Sequence, residues 1–154
     1  MQEVLADPRT HTYIPSDPPT DLDALRARYA RLETRRSPDG TEWWLNWTVF
    51  AGLDAIGTAQ SSVRHADGSA DVAYVFAPAA WGHGYATEAM RAVLEFLPTL
   101  GVTRAQASID TRNLASQRLV TRLGFVQVGE ILAADEFKGE VSDEYVYRLQ
   151  LPVS

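Results

Sequence analysis

The 154-residue chain contains no cysteine, which excludes a disulfide framework, a thiolate nucleophile and any cysteine-ligated metal site. Any covalent chemistry has to use a hydroxyl, a carboxylate or a bound cofactor. Positive charge is also scarce: 14 Lys and Arg stand against 20 Asp and Glu, a formal net charge of -6. Binding nucleic acid by counterion release needs a basic surplus, so no nucleic-acid partner is expected, and a cationic acceptor suits the acidic field better. No apolar run approaches the roughly 18 residues of a membrane span. The first fifteen residues, MQEVLADPRTHTYIP, lack the basic head and apolar stretch of an export signal. A soluble, cytoplasmic protein with no membrane partner is therefore expected. With 45% hydrophobic residues, the chain can bury one core, and we expect a single domain over residues 1–154.

Pro8, Pro15, Pro18 and Pro19 predict an extended loop near the start. A helix should follow, capped by Thr20 and carrying Leu22, Leu25, Tyr29 and Leu32 at helical spacing. Trp43, Leu45, Trp47 and Val49 alternate and predict a strand over Thr41 to Phe50. A second strand is expected over Asp54 to Val63, and His65 to Gly68 form a turn into a third strand, Ala70 to Ala77. That third strand is apolar on both faces from Val72 to Phe76, as a strand covered from both sides would be. After Gly84 the period becomes helical, with Met90, Val93, Leu94 and Leu97 on one stripe until Pro98 and Gly101. Ala105, Ala107 and Ile109 predict a strand, and Leu119, Val120 and Leu123 a short helix closed by Gly124. Phe125 to Ile131 and Tyr145 to Leu151 complete a mixed α/β sheet with helices on its faces.

The richest stretch is Trp81-Gly82-His83-Gly84-Tyr85-Ala86-Thr87-Glu88-Ala89, lying between a buried strand and a helix start. Two glycines one residue apart let backbone approach a ligand and turn several N–H groups toward one spot, which makes an anion cradle. A tight strand-to-helix turn would also explain a bare G-x-G. The loop lacks the G-K-[ST] of a phosphate-binding NTPase, and it follows an antiparallel meander, unlike the first βα turn of a dinucleotide fold. Asn113-Leu114-Ala115-Ser116 comes about 30 residues later, and Leu123-Gly124-Phe125 follows the short helix.

Together these three segments resemble the GNAT superfamily of acyl-CoA-dependent N-acetyltransferases, and within it the branch typified by the ribosomal-protein N-terminal acetyltransferases. The resemblance implies a mostly antiparallel α/β (α+β) sheet flanked by helices, with a splay between two central strands. It implies acetyl-CoA as cosubstrate, a primary amine as acceptor, such as a protein N-terminus or a small molecule, and no metal. By the same resemblance, the amides of Trp81, Gly82, His83, Gly84, Tyr85 and Ala86, with Thr87, hold the pyrophosphate. His83 is a candidate further donor, although a lone exposed histidine is more often incidental. The backbone of Val75 and Phe76 pairs with the pantetheine arm and contacts the developing oxyanion. The family's usual Gln or Arg at the head of the loop is replaced by Ala79. Asn113 binds the pantetheine arm and Ser116 steers or protonates the leaving thiolate. Read without the resemblance, Asn113 is equally the N-cap of the short helix and Ser116 a first-turn residue.

Acetyl transfer needs a neutral amine, oxyanion stabilisation and a proton for the thiolate, with no covalent enzyme intermediate. Asp71 and Asp110 at strand ends near the splay, and Glu130, Asp135 and Glu136 in the last loop, are candidate bases, each equally a surface carboxylate. Tyr13, Trp43, Trp44, Trp47, Phe137 and Tyr145 are candidate linings for the acceptor pocket, although alternating Trp more often means core. Two other classes compatible with these residues are a catalytically silent acyl-CoA binder and an interaction domain whose G-x-G is only a turn. The family's first strand has no counterpart in the given sequence, which predicts an edge at Thr41 to Phe50 with exposed Trp. A second copy of the chain, as a homodimer, or the N-terminal loop would cover that edge.

Overall fold

The computed structural model describes residues 36–137 and 140–152, with side chains described for all of these except 135–141. The expected Pro-rich loop, the helix around Leu22 to Leu32, Tyr13, and the side chains of Asp135, Glu136 and Phe137 lie outside the described residues. Six strands form one sheet: β1 (Glu42–Ala51), β2 (Asp54–Arg64), β3 (Ser69–Phe76), β4 (Arg104–Asp110), β5 (Val126–Phe137) and β6 (Glu140–Gln150). Two helices are described, α1 (Tyr85–Phe96) and α2 (Leu114–Arg122). The strand order is β1-β2-β3-β4-β6-β5. Every neighbouring pair is antiparallel except β3 with β4. A parallel pair needs a crossover, and α1 supplies it.

The meander from β1 to β3 follows its local signals. Asp67 Oδ1 accepts from the Ser69 amide at 3.0 Å and from the Ser69 hydroxyl at 2.6 Å, which closes the turn between β2 and β3. Strand alternation then puts Ala70 and Val72 into the core while Ala73 stays exposed. β3 is thus not covered on both faces along its length, as its apolar run had suggested. Its small Ala73 has little surface to hide, so burial does not force cover there.

One cluster holds the inner face together. Ala59, Val63, Ala70 and Val72 from the meander meet Met90, Val93 and Leu94 of α1, Ala105, Ala107 and Ile109 of β4, and Leu119 and Val120 of α2. Trp43, Leu45, Trp47 and Val49 are partly buried against it. Trp43 meets the His65 ring edge-on at 4.1 Å between centroids, and Trp47 meets Phe96 at 6.0 Å. The expected exposure of these tryptophans on a bare edge is therefore corrected, because the odd-numbered face of β1 turns inward. Trp43 and Trp47 pack half-buried against the core, and the exposed aromatic of β1 is Phe50. Among the described residues β1 has β2 as its ladder partner and one isolated bridge, Arg36 to Trp43.

The last two strands run further than their apolar stretches. Bulges between Gln127 and Gly129 and between Ile131 and Asp135 interrupt the alternation of β5. Glu130, Asp135 and Glu136 accordingly stand on a strand rather than in a loop, with Glu130 opposite Tyr145. Among the described residues no helix is long and apolar enough to cross a membrane.

Candidate active site

The splay is visible in the register. β3 pairs with β4 only at Ser69–Arg104, Ala70–Ala105 and Asp71–Gln106, after which the two strands part. β3 continues five residues further, to Phe76, still paired to β2 on its other side. Which backbone groups face the gap follows from alternation. The Ala77 amide bonds the Ile56 carbonyl at 2.8 Å, so the Phe76–Gly57 pair between them is of the non-hydrogen-bonded kind and Val75–Thr58 is the bonded kind. Gly68, six residues before Tyr74, already turns its carbonyl to the Thr103 amide at 2.8 Å on the β4 side. The polar groups of Tyr74 and Phe76 therefore face the splay, and those of Val75 face β2. This corrects the expected pair: the backbone open to a ligand is that of Tyr74 and Phe76. The Phe76 carbonyl is already taken by the Trp81 indole N–H at 3.0 Å, which leaves the Phe76 amide.

Beyond β3 a short 3-10 turn, Pro78–Ala80, leads to the glycine loop. Gly82 has φ 80° and Gly84 φ 79°, a left-handed conformation that L side chains resist. Apart from the adjoining residues, no atom lies within 4 Å of where a Cβ would stand at either glycine. The glycines are thus required by backbone conformation, not by crowding within the fold. Gly84 is the N-cap of α1 and offers no side-chain cap. The first bond of the helix is the Glu88 amide to the Gly84 carbonyl at 3.0 Å, so the amides of Tyr85, Ala86 and Thr87 have no partner within the helix. Unpaired N–H groups and the helix dipole make this end attractive to an anion. Trp81, His83 and Tyr85 are exposed along the loop, with the His83 and Tyr85 rings stacked at 5.6 Å. Arg122, at the end of α2, reaches Thr87 Oγ1 at 3.4 Å. Neither Arg122 nor Arg118, one turn earlier, makes an ion pair among the described residues. Sequence reasoning missed both, although their four-residue spacing on a helix was the available signal.

Asn113 does cap α2, its Oδ1 accepting the Ser116 amide at 3.2 Å. Its NH2 has no partner among the described residues, so cap and ligand contact use different atoms of one amide. Ser116 Oγ lies 2.7 Å from the Tyr74 hydroxyl, which donates to it. Burial pushes the Tyr74 phenol up. Tyr74 was not foreseen, because 42 residues separate the partners.

The two proposed aspartates do not join this group. Asp110 ends β4 buried, its Oδ2 accepting from Ser142 Oγ at 2.7 Å and Arg112 Nη2 at 2.8 Å, and its Oδ1 from the Arg112 amide at 2.8 Å. The Arg112 side chain, with Ser142 and the Arg112 amide, holds its pKa down at about 2 despite burial. A base that weak is unsuited to accept a proton near neutral pH, so Asp110 is corrected to a structural anion. Asp71 sits at the last paired position of the parallel ladder, not at a strand end. Its carboxylate takes two bonds from Arg64, at 2.8 and 3.2 Å. Odd and even residues of a strand face opposite sides, so Asp71 lies on the sheet face away from Tyr74 and Ser116.

A splay, a glycine loop at a helix start and an Asn-x-x-Ser turn thus share one side of the sheet. The family model described as an acetyltransferase (GNAT) domain matches residues 1–126. The chain belongs to the GNAT acetyltransferase family. It is accordingly an N-acetyltransferase, and related proteins carry the same name. The N-acetyltransferase p20 of Bacillus licheniformis, itself described as uncharacterized, is 25% identical over 146 residues, covering 94% of this chain and 82% of that protein. In structure, the chain resembles the spermidine N-acetyltransferase of Vibrio cholerae, solved with CoA and spermine. The TM-score is 0.81 at 18% identity, over 97% of this chain and 86% of that one. It likewise resembles the ribosomal-protein-alanine N-acetyltransferase of Brucella melitensis, with a TM-score of 0.77 at 20% identity, over 97% and 91% of the two chains. At these identities the likeness is one of fold. It is shared by a polyamine and a ribosomal-protein enzyme and does not single out the branch expected from the sequence.

Proposed function

We propose that this acetyltransferase takes its acetyl group from acetyl-CoA and passes it to a primary amine, either a protein N-terminus or a small cationic amine, by direct attack. The observation that carries the reading is the splay, with the backbone of Tyr74 and Phe76 turned into it and an uncapped helix start at Gly84 beside it. The unpaired amides of Tyr85, Ala86 and Thr87 suit a pyrophosphate, and Arg122 beside Thr87 adds a charge-assisted donor. The Asn113 NH2 suits an amide carbonyl of the pantetheine arm. The Phe76 amide, free toward the gap, suits the thioester oxygen as negative charge grows on it.

In the reaction the neutral amine nitrogen bonds to the acetyl carbon and the carbon–sulfur bond breaks. The thiolate takes the Ser116 hydroxyl proton, the amine's surplus proton leaves to solvent, and the serine oxygen regains a proton from solvent. Solvent is the acceptor we favour because Asp110 is held too acidic and Asp71 is committed to Arg64. We place this activity in a soluble cytoplasmic protein, consistent with its acidic composition.

Calorimetric titration with acetyl-CoA, followed by thiol release over a panel of polyamines, small amines and N-terminal peptides, tests the reading. Binding with turnover of at least one amine is expected. No heat and no thermal shift at saturating acetyl-CoA would remove it, and binding without turnover of any amine would convert the chain to a silent acyl-CoA binder.

A further inference from the structure

We infer that Tyr74 is the positioning residue that aims the Ser116 hydroxyl at the sulfur of the leaving coenzyme. The inference rests on the acetyl-CoA reading above and adds a residue to it. Its basis is geometric. Tyr74 stands three residues past Asp71, the last position where β3 still pairs with β4, so it lies where the strands have already parted. Its phenol crosses to the first turn of α2 and donates to Ser116 Oγ at 2.7 Å. The Ser116 amide is meanwhile bound to Asn113 Oδ1 at 3.2 Å. Backbone and side chain of Ser116 are thus each held by a separate anchor.

The direction of the bond sets the consequence. A serine hydroxyl has one proton and two acceptor positions. With one acceptor position filled by Tyr74, the single proton is directed away from the phenol and remains for a third group. Among the described residues the influences on the Tyr74 phenol are burial and Ser116, with no charged neighbour acting on it. Burial raises its pKa, so the phenol keeps its proton in neutral and mildly alkaline solution and the orientation persists there. On proton transfer, the Ser116 O–H bond breaks, an S–H bond forms on the coenzyme, and the serine oxygen recovers a proton from solvent, while Tyr74 keeps its own proton and steadies the developing alkoxide. A purely structural role, tying α2 to β3, would use the same bond and is the competing account.

The test needs no acceptor amine. Affinities of CoA and of desulfo-CoA, which lacks the thiol, are measured by calorimetry at pH 8.5, where a thiol near its ordinary pKa is partly thiolate. A hydrogen bond to a charged group is worth enough to separate the two ligands by roughly tenfold or more. Wild-type protein should show that preference for CoA. Tyr74→Phe keeps the ring and its contact with Phe76 and should lose most of the preference without losing desulfo-CoA binding. Ser116→Ala should lose it to the same extent, and the double variant should lose no more, since both act on one proton. Ser116→Ala also serves should Tyr74→Phe fold poorly. Equal binding of both ligands by wild type, or a Tyr74→Phe variant that keeps the preference while Ser116→Ala loses it, overturns the inference and leaves the acetyl-CoA reading intact. Failure of wild type to bind either ligand overturns both.

Discussion

Replacing Asp110 with asparagine separates two roles that a carboxylate near a catalytic cleft can have. The side chain keeps its shape and loses its charge, while Arg112 and Ser142 stay in place. Asp110 is lowered from 3.8 to about 2, and each pKa unit corresponds to about 1.4 kcal/mol, so the folded state gains roughly 2 kcal/mol from its ionised form. The Asp110 side chain is 2% exposed but its main partner Arg112 is 42% exposed, so solvent screening of the pair makes that figure an upper limit. The folded pKa is depressed, which means the stabilisation is complete above the unfolded value near 3.8 and fades as pH falls toward 2. Urea unfolding should therefore show Asp110→Asn less stable than wild type by up to roughly 2 kcal/mol at pH 7, at most about 4–8 °C in melting temperature for a chain of this size. The gap should narrow steadily between pH 4 and pH 2. Turnover measured well below the melting temperature should stay within a few-fold of wild type, because an anion this acidic is not the base. A fall in kcat of a hundredfold or more with unchanged stability would refute the structural assignment and restore Asp110 as a catalytic group.

Asn113→Asp should keep the cap of α2, since Oδ1 remains an acceptor, and so keep stability within a few tenths of a kcal/mol, while acetyl-CoA affinity falls with the lost NH2; Asn113→Ala should lose both, with about 1 kcal/mol of stability from the cap. Equal cofactor affinity in Asn113→Asp and wild type, by calorimetry, would reduce Asn113 to a cap. Gly84→Val should cost about 1–2 kcal/mol for the left-handed φ and in addition abolish the thermal shift given by acetyl-CoA, which is about 2.7 kcal/mol at 100 times the dissociation constant. A full shift in the variant would show that the loop is not the cradle. Arg122→Gln should weaken acetyl-CoA binding by roughly tenfold and flatten its dependence on salt, whereas unaltered salt dependence would remove Arg122 from the phosphate site. If a second copy covers β1, light scattering across a dilution series should report twice the 17.0 kDa chain mass, and 17.0 kDa throughout would exclude it.

Where the sequence was read correctly, a strong local signal was at hand. The alternating Trp43, Leu45, Trp47 and Val49 marked β1, and Met90, Val93, Leu94 and Leu97 marked α1 through to its apolar stripe. Gly82 and Gly84 marked the strand-to-helix loop because both take a conformation that other residues avoid. The long β5–β6 hairpin was shortened in the reading because its bulges break the two-residue period, and because Glu130, Asp135 and Glu136 look like loop residues. The acidity of Asp110 was half legible: its main partner, Arg112, stands only two residues on, but the Ser142 hydroxyl that also holds it arrives from β6, 32 residues away.

The misassigned backbone contact at Val75 has a different origin. No residue type at position 75 reveals where its N–H points, because in a strand that direction alternates regardless of side chain and is set by the neighbour's register. Two bonds outside the site fix it: the Ala77 amide to Ile56 at one end of β3 and the Gly68 carbonyl to Thr103 at the other. Both require the even-numbered residues of β3 to face β4, and once β4 has turned away after Gln106, those same residues face the gap. Tyr74 and Phe76 are thereby selected together, and Tyr74 twice, since its backbone turns into the splay while its phenol reaches Ser116. Exchanging its side chain for phenylalanine leaves the backbone groups that face the splay in place. A loss confined to the thiol-dependent part of binding would then belong to the hydroxyl, and a loss of desulfo-CoA affinity would mean that the strand itself had moved.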